Sequence, residues 1–379
     1  MILIFFTVYT ASGFAACGTL FNSVFGLNYQ KSMIVCAIVI VLYTSMGGFF
    51  AASTTDLIQG LLMSFAIVIV LIVGVVNAGG VANVIAHGQA MEGFFDVMKY
   101  HDPATGGAVS QGVIPILSGL AWGLGYFGMP HILLRFMAIG EEKKLVLSRR
   151  IATVWVVISM FVAILIGIIG YGASVAGVLP MFETSSESET IIIRLAGLLA
   201  EKNFLLALVA GVVLAGILAC TMSTADSQLL TAASSVSQNL LQDFLKIKMS
   251  PKQSMLAARL TVVGISLIAV VLAWNPDSSV FYIVSFAWAG FGAAFGPVVL
   301  FSLFWRRTNF QGALAGMLTG GVMVFVWKYL VKPMGGVWGI YELLPAFILG
   351  CIAIVVVSLA TVAPSEEILK EFDSVKEEK

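Results

Sequence analysis

The sequence predicts an all-α polytopic membrane protein with about ten transmembrane helices, and three observations carry that reading. Of its 379 residues, 59% are hydrophobic and only 11% charged, at a mean hydropathy of +1.01; a soluble domain of this length needs far more charge to cover its surface. Stretches of about 20 apolar residues follow one another along the chain, the length that crosses a hydrocarbon core of roughly 30 Å. The 38 glycines suit closely packed transmembrane helices rather than strands. Twenty basic and twenty acidic residues cancel, and no basic patch points to nucleic acid. Cys17, Cys36, Cys220 and Cys351 lie in or beside apolar runs without CxxC spacing, as buried small hydrophobes do.

The predicted helices run over 1–22, 32–50, 56–78, 112–134, 150–178, 203–241, 256–274, 279–304, 310–331 and 341–362. The first opens at Met1 straight into ILIFFTVYTASGFAACGTL. With no basic n-region and no clear cleavage site of small residues, a signal peptide is not expected. The segment 190–201, TIIIRLAGLLAE, is short and amphipathic and is placed at the membrane interface rather than across it. The charged tail PSEEILKEFDSVKEEK reads as a short solvated helix or as disordered.

Charge orients these helices. The link after the fourth carries Arg135, Lys143, Lys144, Arg149 and Arg150, and the link after the sixth carries Lys246, Lys248, Lys252 and Arg259. Arg306 and Arg307 follow the eighth. The intervening links are acidic or nearly uncharged, including ETSSESE with Glu183, Glu187 and Glu189, and NPDSS. The positive-inside rule puts the basic links, and with them the C-terminus, in the cytoplasm.

Within the sixth predicted helix, AGILACTMSTADSQLLTAASSVSQ at 215–238 breaks the apolar pattern. Helical spacing places Ser223, Ser227, Thr231, Ser234 and Gln238 on one stripe, with Asp226 beside it. The plainer reading is helix packing, since Ser and Thr let helices approach closely and bond back to the carbonyl four residues earlier. Packing explains Asp226 poorly, because a carboxylate at membrane depth is costly unless it faces a cavity or a partner. The functional reading is a hard-cation site, in which hydroxyl and carbonyl oxygens hold a small monovalent ion such as Na⁺.

The fourth predicted helix contains SGLAWGLGYFGMPHILLRF at 118–136. Trp122, Tyr126 and Pro130 recur every four residues, so they are expected on one helix face, with Gly123, Gly125 and Gly128 between them. A helix that is glycine-rich and proline-interrupted is tolerated at membrane depth where it lines a cavity. Broken helices of this kind form the midplane sites of secondary transporters. A kinked packing helix with belt aromatics is the alternative. The eighth predicted helix, with Gly290, Gly292, Gly296 and Pro297, reads as packing, with gating as the alternative. Asp56 at the start of the third is adequately explained by capping or the helix dipole, and ion release is the weaker option. His131 is given a structural role. No GxSxG, HExxH or P-loop pattern is present, and nothing argues for an enzyme.

With these residues in view the chain resembles the sodium/solute symporters, most closely the sodium/proline branch. The resemblance runs almost end to end, through FFTVYTASG at 5–13, GGFFAASTTDLIQG at 47–60, AWGLGYFGMPHILLRFMA at 121–138, ILACTMSTADSQLL at 217–230 and SFAWAGFGAAFGPVVLFSLFWRRTNFQGALAGM at 285–317. It implies a LeuT-type five-plus-five inverted repeat with flanking helices. It implies Na⁺ at Ser223 and Thr224, with Asp226 beside them, and a solute shaped by Trp122, Tyr126 and Pro130, with Tyr9 a further functional tyrosine. Asp56 matches an acid that the family ties to ion coupling, and Gln228 and Gly128 are further coupling or gating candidates. Two departures stand out: Met129 replaces a Gln of the proline transporters, and Ala225-Asp226-Ser227 replaces a Leu-Ser-Cys.

The family carries about three helices before the one that opens at Met1, so the resemblance implies a symporter truncated at its N-terminus, with an inactive fragment as one outcome. The expected organisation is a membrane transport domain over 1–362 and a cytoplasmic tail over 363–379. The expected function is Na⁺-coupled uptake of a small amino acid, L-proline first, with Na⁺ as the co-transported ion and no organic cofactor. The expected partners are the small solute and the lipid bilayer of the cell membrane. Another solute, such as pantothenate, a carboxylate or an osmolyte, and a transporter-like sensor or scaffold remain as alternatives.

Overall fold

The computed structural model describes residues 1–102 and 104–377, without the side chains of 49–51 and 375–377. Among the described residues, nine helices are long and apolar enough to cross a membrane, or ten when the bent pair Val113–Gly128 and Pro130–Met137 counts as one span. The predicted ten are met. The chain divides into two compact units.

The larger unit comprises Phe6–Ser110 and Ala138–Ile283. It holds most of α1 (Ile2–Phe25), then α2 (Tyr29–Gly48), α3 (Ala52–Asn77) and α4 (Val81–Ala90). A hairpin of β1 (Lys99–Asp102) and β2 (Gly107–Ser110) was not expected from the sequence. After it come α7 (Lys144–Val175), α8 (Ile191–Ala200), α9 (Phe204–Ser234) and α10 (Pro251–Leu272), the labels α5 and α6 belonging to the smaller unit below. Asn28 caps α2 by accepting a hydrogen bond from the Lys31 amide. Between α2 and α3 the backbone stays helical except at Gly48, whose φ of 64° is the left-handed conformation glycine adopts without a Cβ clash. α10 starts five residues earlier than predicted, because Ser250 and Gln253 form a capping box with Pro251 at the first position, a start signal legible in the sequence.

Val70, Ile166, Ile169, Leu195, Ala196 and Val213 form the core of this unit. Two of them, Leu195 and Ala196, belong to α8 and are fully buried. The segment expected to lie on the membrane interface therefore packs its apolar face into protein. Ten residues span about 15 Å, too short to cross, and an apolar stripe on so short a helix serves a protein core as well as a lipid surface.

The smaller unit comprises Met1–Phe5, Gln111–Met137 and Val284–Lys379. It contains α5 (Val113–Ala121), a 3₁₀ turn over Trp122–Gly128, and α6 (Pro130–Met137). Most of α11 (Val280–Phe304) follows, then α12 (Phe310–Val326, continuing in wider and tighter turns to Met334), α13 (Leu343–Ala360) and α14 (Glu366–Glu377). α12 and α13 pack at glycine spacing: a Cβ on Gly316 would lie 2.2 Å from Ile354 Cγ1, and one on Gly312 1.9 Å from Ser358 Oγ. Close approach of this kind drives helix association where water expulsion cannot. In α11 the stretch from Ser285 to Gly296 is buried almost throughout, except Phe295, as a closely packed helix is. Of the two options for the tail, helix is realised, and Arg306 ties it down through a 2.8 Å ion pair with Asp373.

Candidate functional site

In α9 the polar stretch stays helical, so its hydroxyls line up as the spacing predicts. The Ser227 hydroxyl donates to the Ser223 carbonyl at 2.9 Å, Thr231 to the Ser227 carbonyl at 2.8 Å, and Ser235 to the Thr231 carbonyl at 3.0 Å. Hydroxyls satisfied in this way need nothing beyond packing. Ser234 and Gln238 meet through their side chains at 3.2 Å, although the helix widens to π-type turns from Ser235 onward and the regular stripe ends there.

Ser223 and Thr224 differ from that row. Both hydroxyls donate to one carbonyl, Cys220 O, at 3.1 and 3.0 Å. Each side chain is half-buried and keeps its oxygen lone pairs free to face a cation. Asp226 is 0% exposed. Its Oδ1 is 3.2 Å from the Ser227 hydroxyl, while Oδ2 makes no hydrogen bond among the described residues. The Tyr43 hydroxyl lies close enough to act as a further donor to the carboxylate, and Asp56 is a like charge nearby. A buried carboxylate without a full set of donors is expensive, and a bound cation is one group that would offset the cost. Asp226 thus stands apart from the hydroxyl row, as its residue type implied. Groups of three or more His, Cys, Asp or Glu able to hold a metal are absent among the described residues, so a transition-metal centre has no donor set there.

Three other predicted residues lie in the same unit. Gln228 is 1% exposed and accepts from Thr10 of α1 at 3.2 Å through Oε1, while its Nε2 makes no hydrogen bond among the described residues. Gly13 of α1 faces α9, where an added Cβ would meet Thr221 Cγ2 at 3.4 Å. Tyr9 lies one turn before Gly13 on α1 and its carbonyl accepts from Ser12 at 2.6 Å. Asp56 sits a full turn inside α3, which starts at Ala52. That is past the positions where a side chain caps a helix, so the capping explanation gives way. Its side chain lines an open cleft of about 650 Å³ with Leu57, Leu61, Lys144 and Trp155.

The aromatic stretch belongs to the smaller unit and departs from its predicted geometry. Trp122–Gly128 is a 3₁₀ turn and Met129 is extended, with φ −84° and ψ 104°, before Pro130 opens α6. The two halves bend by 44°. With three residues per turn, positions four apart are rotated by about 120°, so Trp122, Tyr126 and Pro130 do not share one helix face. What gathers the first two is Trp288 of α11. Its ring stacks on Trp122 at 5.5 Å and meets Tyr126 edge-on at 4.8 Å, and its indole N–H donates to the Trp122 carbonyl at 3.0 Å. Tyr341 stacks on Trp122 at 6.0 Å. Neither Trp288 nor Tyr341 was singled out from the sequence; a lone tryptophan within a glycine-rich helix was the available signal for the first. Gly128 is where backbones touch, since an added Cβ would lie 2.3 Å from Phe291 O. Met129, at the departure from the proline transporters, is fully buried at the break.

The profile of the sodium:solute symporter family matches residues 1–320. The osmoregulated proline transporter OpuE of Bacillus subtilis is 41% identical over 368 residues, covering 97% of this chain and 70% of that protein. The high-affinity proline transporter PutP of the same organism is 37% identical, covering all of this chain and 75% of that one. The sodium/proline symporter of Escherichia coli is 38% identical, covering 98% and 70%. Among solved structures, the substrate-bound outward-open state of a Na⁺-coupled sialic acid symporter aligns with a TM-score of 0.70 at 18% identity, over 96% of this chain and 74% of that one. That likeness establishes the fold.

Proposed function

The chain belongs to the sodium:solute symporter family, and from that membership we propose that it serves Na⁺-coupled uptake of a small amino acid, L-proline first, by alternating access. It is a multi-pass membrane transport protein and not an enzyme. In this reading Ser223, Thr224 and Asp226 hold Na⁺. Trp122, Tyr126 and Pro130 shape the solute site, with Tyr9 contributing, and Asp56, Gln228 and Gly128 serve coupling or gating. Residues 1–362 form the transport domain and 363–379 a cytoplasmic tail. Na⁺ and solute need only favour the same conformer for each to raise the other's affinity by the same factor.

The observation that carries the reading is α9 itself: two half-buried hydroxyls on adjacent residues, followed within one turn by a fully buried carboxylate with one oxygen unanswered. Hydroxyl and carboxylate oxygens are the ligand types that a hard monovalent cation takes. The test is Na⁺-gradient-driven uptake of labelled L-proline, by the chain alone and by the chain extended with three N-terminal helices of a relative. Ser223→Ala and Thr224→Ala are each expected to raise the Na⁺ needed for half-maximal uptake about tenfold or more; an unchanged Na⁺ requirement would sink the assignment. Met129 supports a second reading in which the solute is not proline, because an apolar side chain replaces an amide at the break. Competition of proline uptake by pantothenate, a small carboxylate and a betaine separates the two.

A further inference from the structure

The 3₁₀ turn Trp122–Gly128 is held from outside by two aromatic residues from elsewhere in the chain. A 3₁₀ segment of seven residues is long for its type, because its hydrogen bonds are poorly aligned. Something must compensate for the carbonyls it leaves badly paired. Trp288 supplies part of that by donating its indole N–H to the Trp122 carbonyl at 3.0 Å. The glycines make room for it: a Cβ on Gly125 would sit 1.9 Å from Trp288 Nε1, and one on Gly292 would sit 2.7 Å from Gly125 Cα. Glycine at these positions is thereby explained by the approach of α11 to the turn, with no solute invoked.

Tyr341 reaches the same place from the link between α12 and α13. Its ring stacks on Trp122 with 18° between planes. Its amide N–H donates to Ser118 Oγ of α5 at 3.0 Å, and its phenol donates to the Ser285 carbonyl of α11 at 2.5 Å. One residue thus bridges α5, which leads into the turn, and α11, which packs against it. The link is itself fastened, by a 2.9 Å ion pair between Lys332 and the buried Glu342 and by the Trp327 indole donating to the Ile340 carbonyl at 3.2 Å. A side chain carried on so constrained a link is a fixed wall.

We propose that Trp288 and Tyr341 are positioning residues for the solute site: together they clamp the turn Trp122–Gly128 in its broken conformation and hold the Trp122 ring from two neighbouring elements. The clamp leaves Tyr126, 46% exposed, as the open aromatic surface, with Trp122 half-buried behind it. What the turn binds rests on the function proposed above; the clamp does not.

Hydrogen exchange read by mass spectrometry on the purified chain tests this without any transport. Trp288→Phe keeps an aromatic ring and removes the N–H donor. It is expected to speed exchange in 122–128 about tenfold, the scale of one lost hydrogen bond to a buried carbonyl, while 312–324 and 345–358 stay at the parent rate. Tyr341→Ala is expected to do the same, and Tyr341→Phe, which keeps the stack, to have a smaller effect. Unchanged exchange in 122–128, or an equal rise in all three segments, would overturn the clamp. L-proline uptake adds the readout a structural role would not give: KM up about tenfold in Trp288→Phe with the maximal rate retained. Local exchange without any proline uptake by the parent would remove the solute reading and leave the clamp standing.

Discussion

In the larger unit Asp226 Oδ2 and Gln228 Nε2 are buried and make no hydrogen bond among the described residues. In the smaller unit the Trp122 carbonyl and the Tyr341 amide and phenol each have one. The first arrangement leaves oxygen and nitrogen atoms that a bound group could meet, which is what the proposed Na⁺ site requires. The second is satisfied by the protein's own side chains, which is what would hold the aromatic turn in place. Buried polar groups are nearly always paired in folded proteins, so Asp226 Oδ2 and Gln228 Nε2 are atoms to test against an added ion, although other buried polar atoms make no hydrogen bond in either unit, Ser266 in the larger and Ser358 in the smaller among them.

The contrast is broken most forcefully from the satisfied side. Trp288→Ala removes a ring that is 7% exposed and touches both Trp122 and Tyr126. Its expected cost is about 3–5 kcal/mol, the usual range for large aromatics truncated in a core. Thermal unfolding in detergent checks it, and a shift no larger than that of an exposed truncation such as Phe161→Ala, where the residue is 61% exposed, would mean that the turn does not depend on α11.

Asp226→Asn probes the other side, and here the sign should reverse. Removing an incompletely satisfied charge is expected to stabilise the Na⁺-free protein by about 1–3 kcal/mol. The same change should abolish the stabilisation by Na⁺, which for a site filled at 100 times its dissociation constant amounts to about 2.7 kcal/mol. Melting temperatures of parent and variant, in Na⁺ and in choline, give both numbers. A variant that melts lower in choline, or that still responds to Na⁺, would show that Asp226 is an ordinary buried acid.

The two sides were not equally legible in the sequence. The stripe in α9 depends on helical periodicity alone, so Ser223 and Asp226 could be picked out from spacing and residue type, whereas the role of Thr224 came only from the family resemblance. The aromatic site depends on what approaches it. Trp122, Tyr126 and Pro130 were recognisable as a group, but the α-helical face assigned to them is replaced by a 3₁₀ turn, and the residues that hold it, Trp288 and Tyr341, lie far away in the chain. Trp288 is 166 positions from Trp122. Periodicity reports local geometry, whereas a broken helix is a tertiary decision. The same limit applies to α8, whose amphipathic stripe fitted either a lipid surface or the protein core it occupies.

The smallest predicted effect separates hydroxyls that pack from hydroxyls that bind. Thr231 is 8% exposed and donates to the Ser227 carbonyl at 2.8 Å, so its only visible work lies inside α9. Thr231→Val keeps the shape and removes the donor, while Ser227 O retains its bond along the helix. The expected loss is about 0.5–1 kcal/mol, with the Na⁺ concentration for half-maximal stabilisation unchanged. Thr224→Ala makes the opposite pairing, a similarly small change in stability with a large change in Na⁺ response. If both variants moved the Na⁺ response together, the hydroxyl row would be acting as one ion path, and the division between packing and binding oxygens along α9 would have to be redrawn two turns further down the helix.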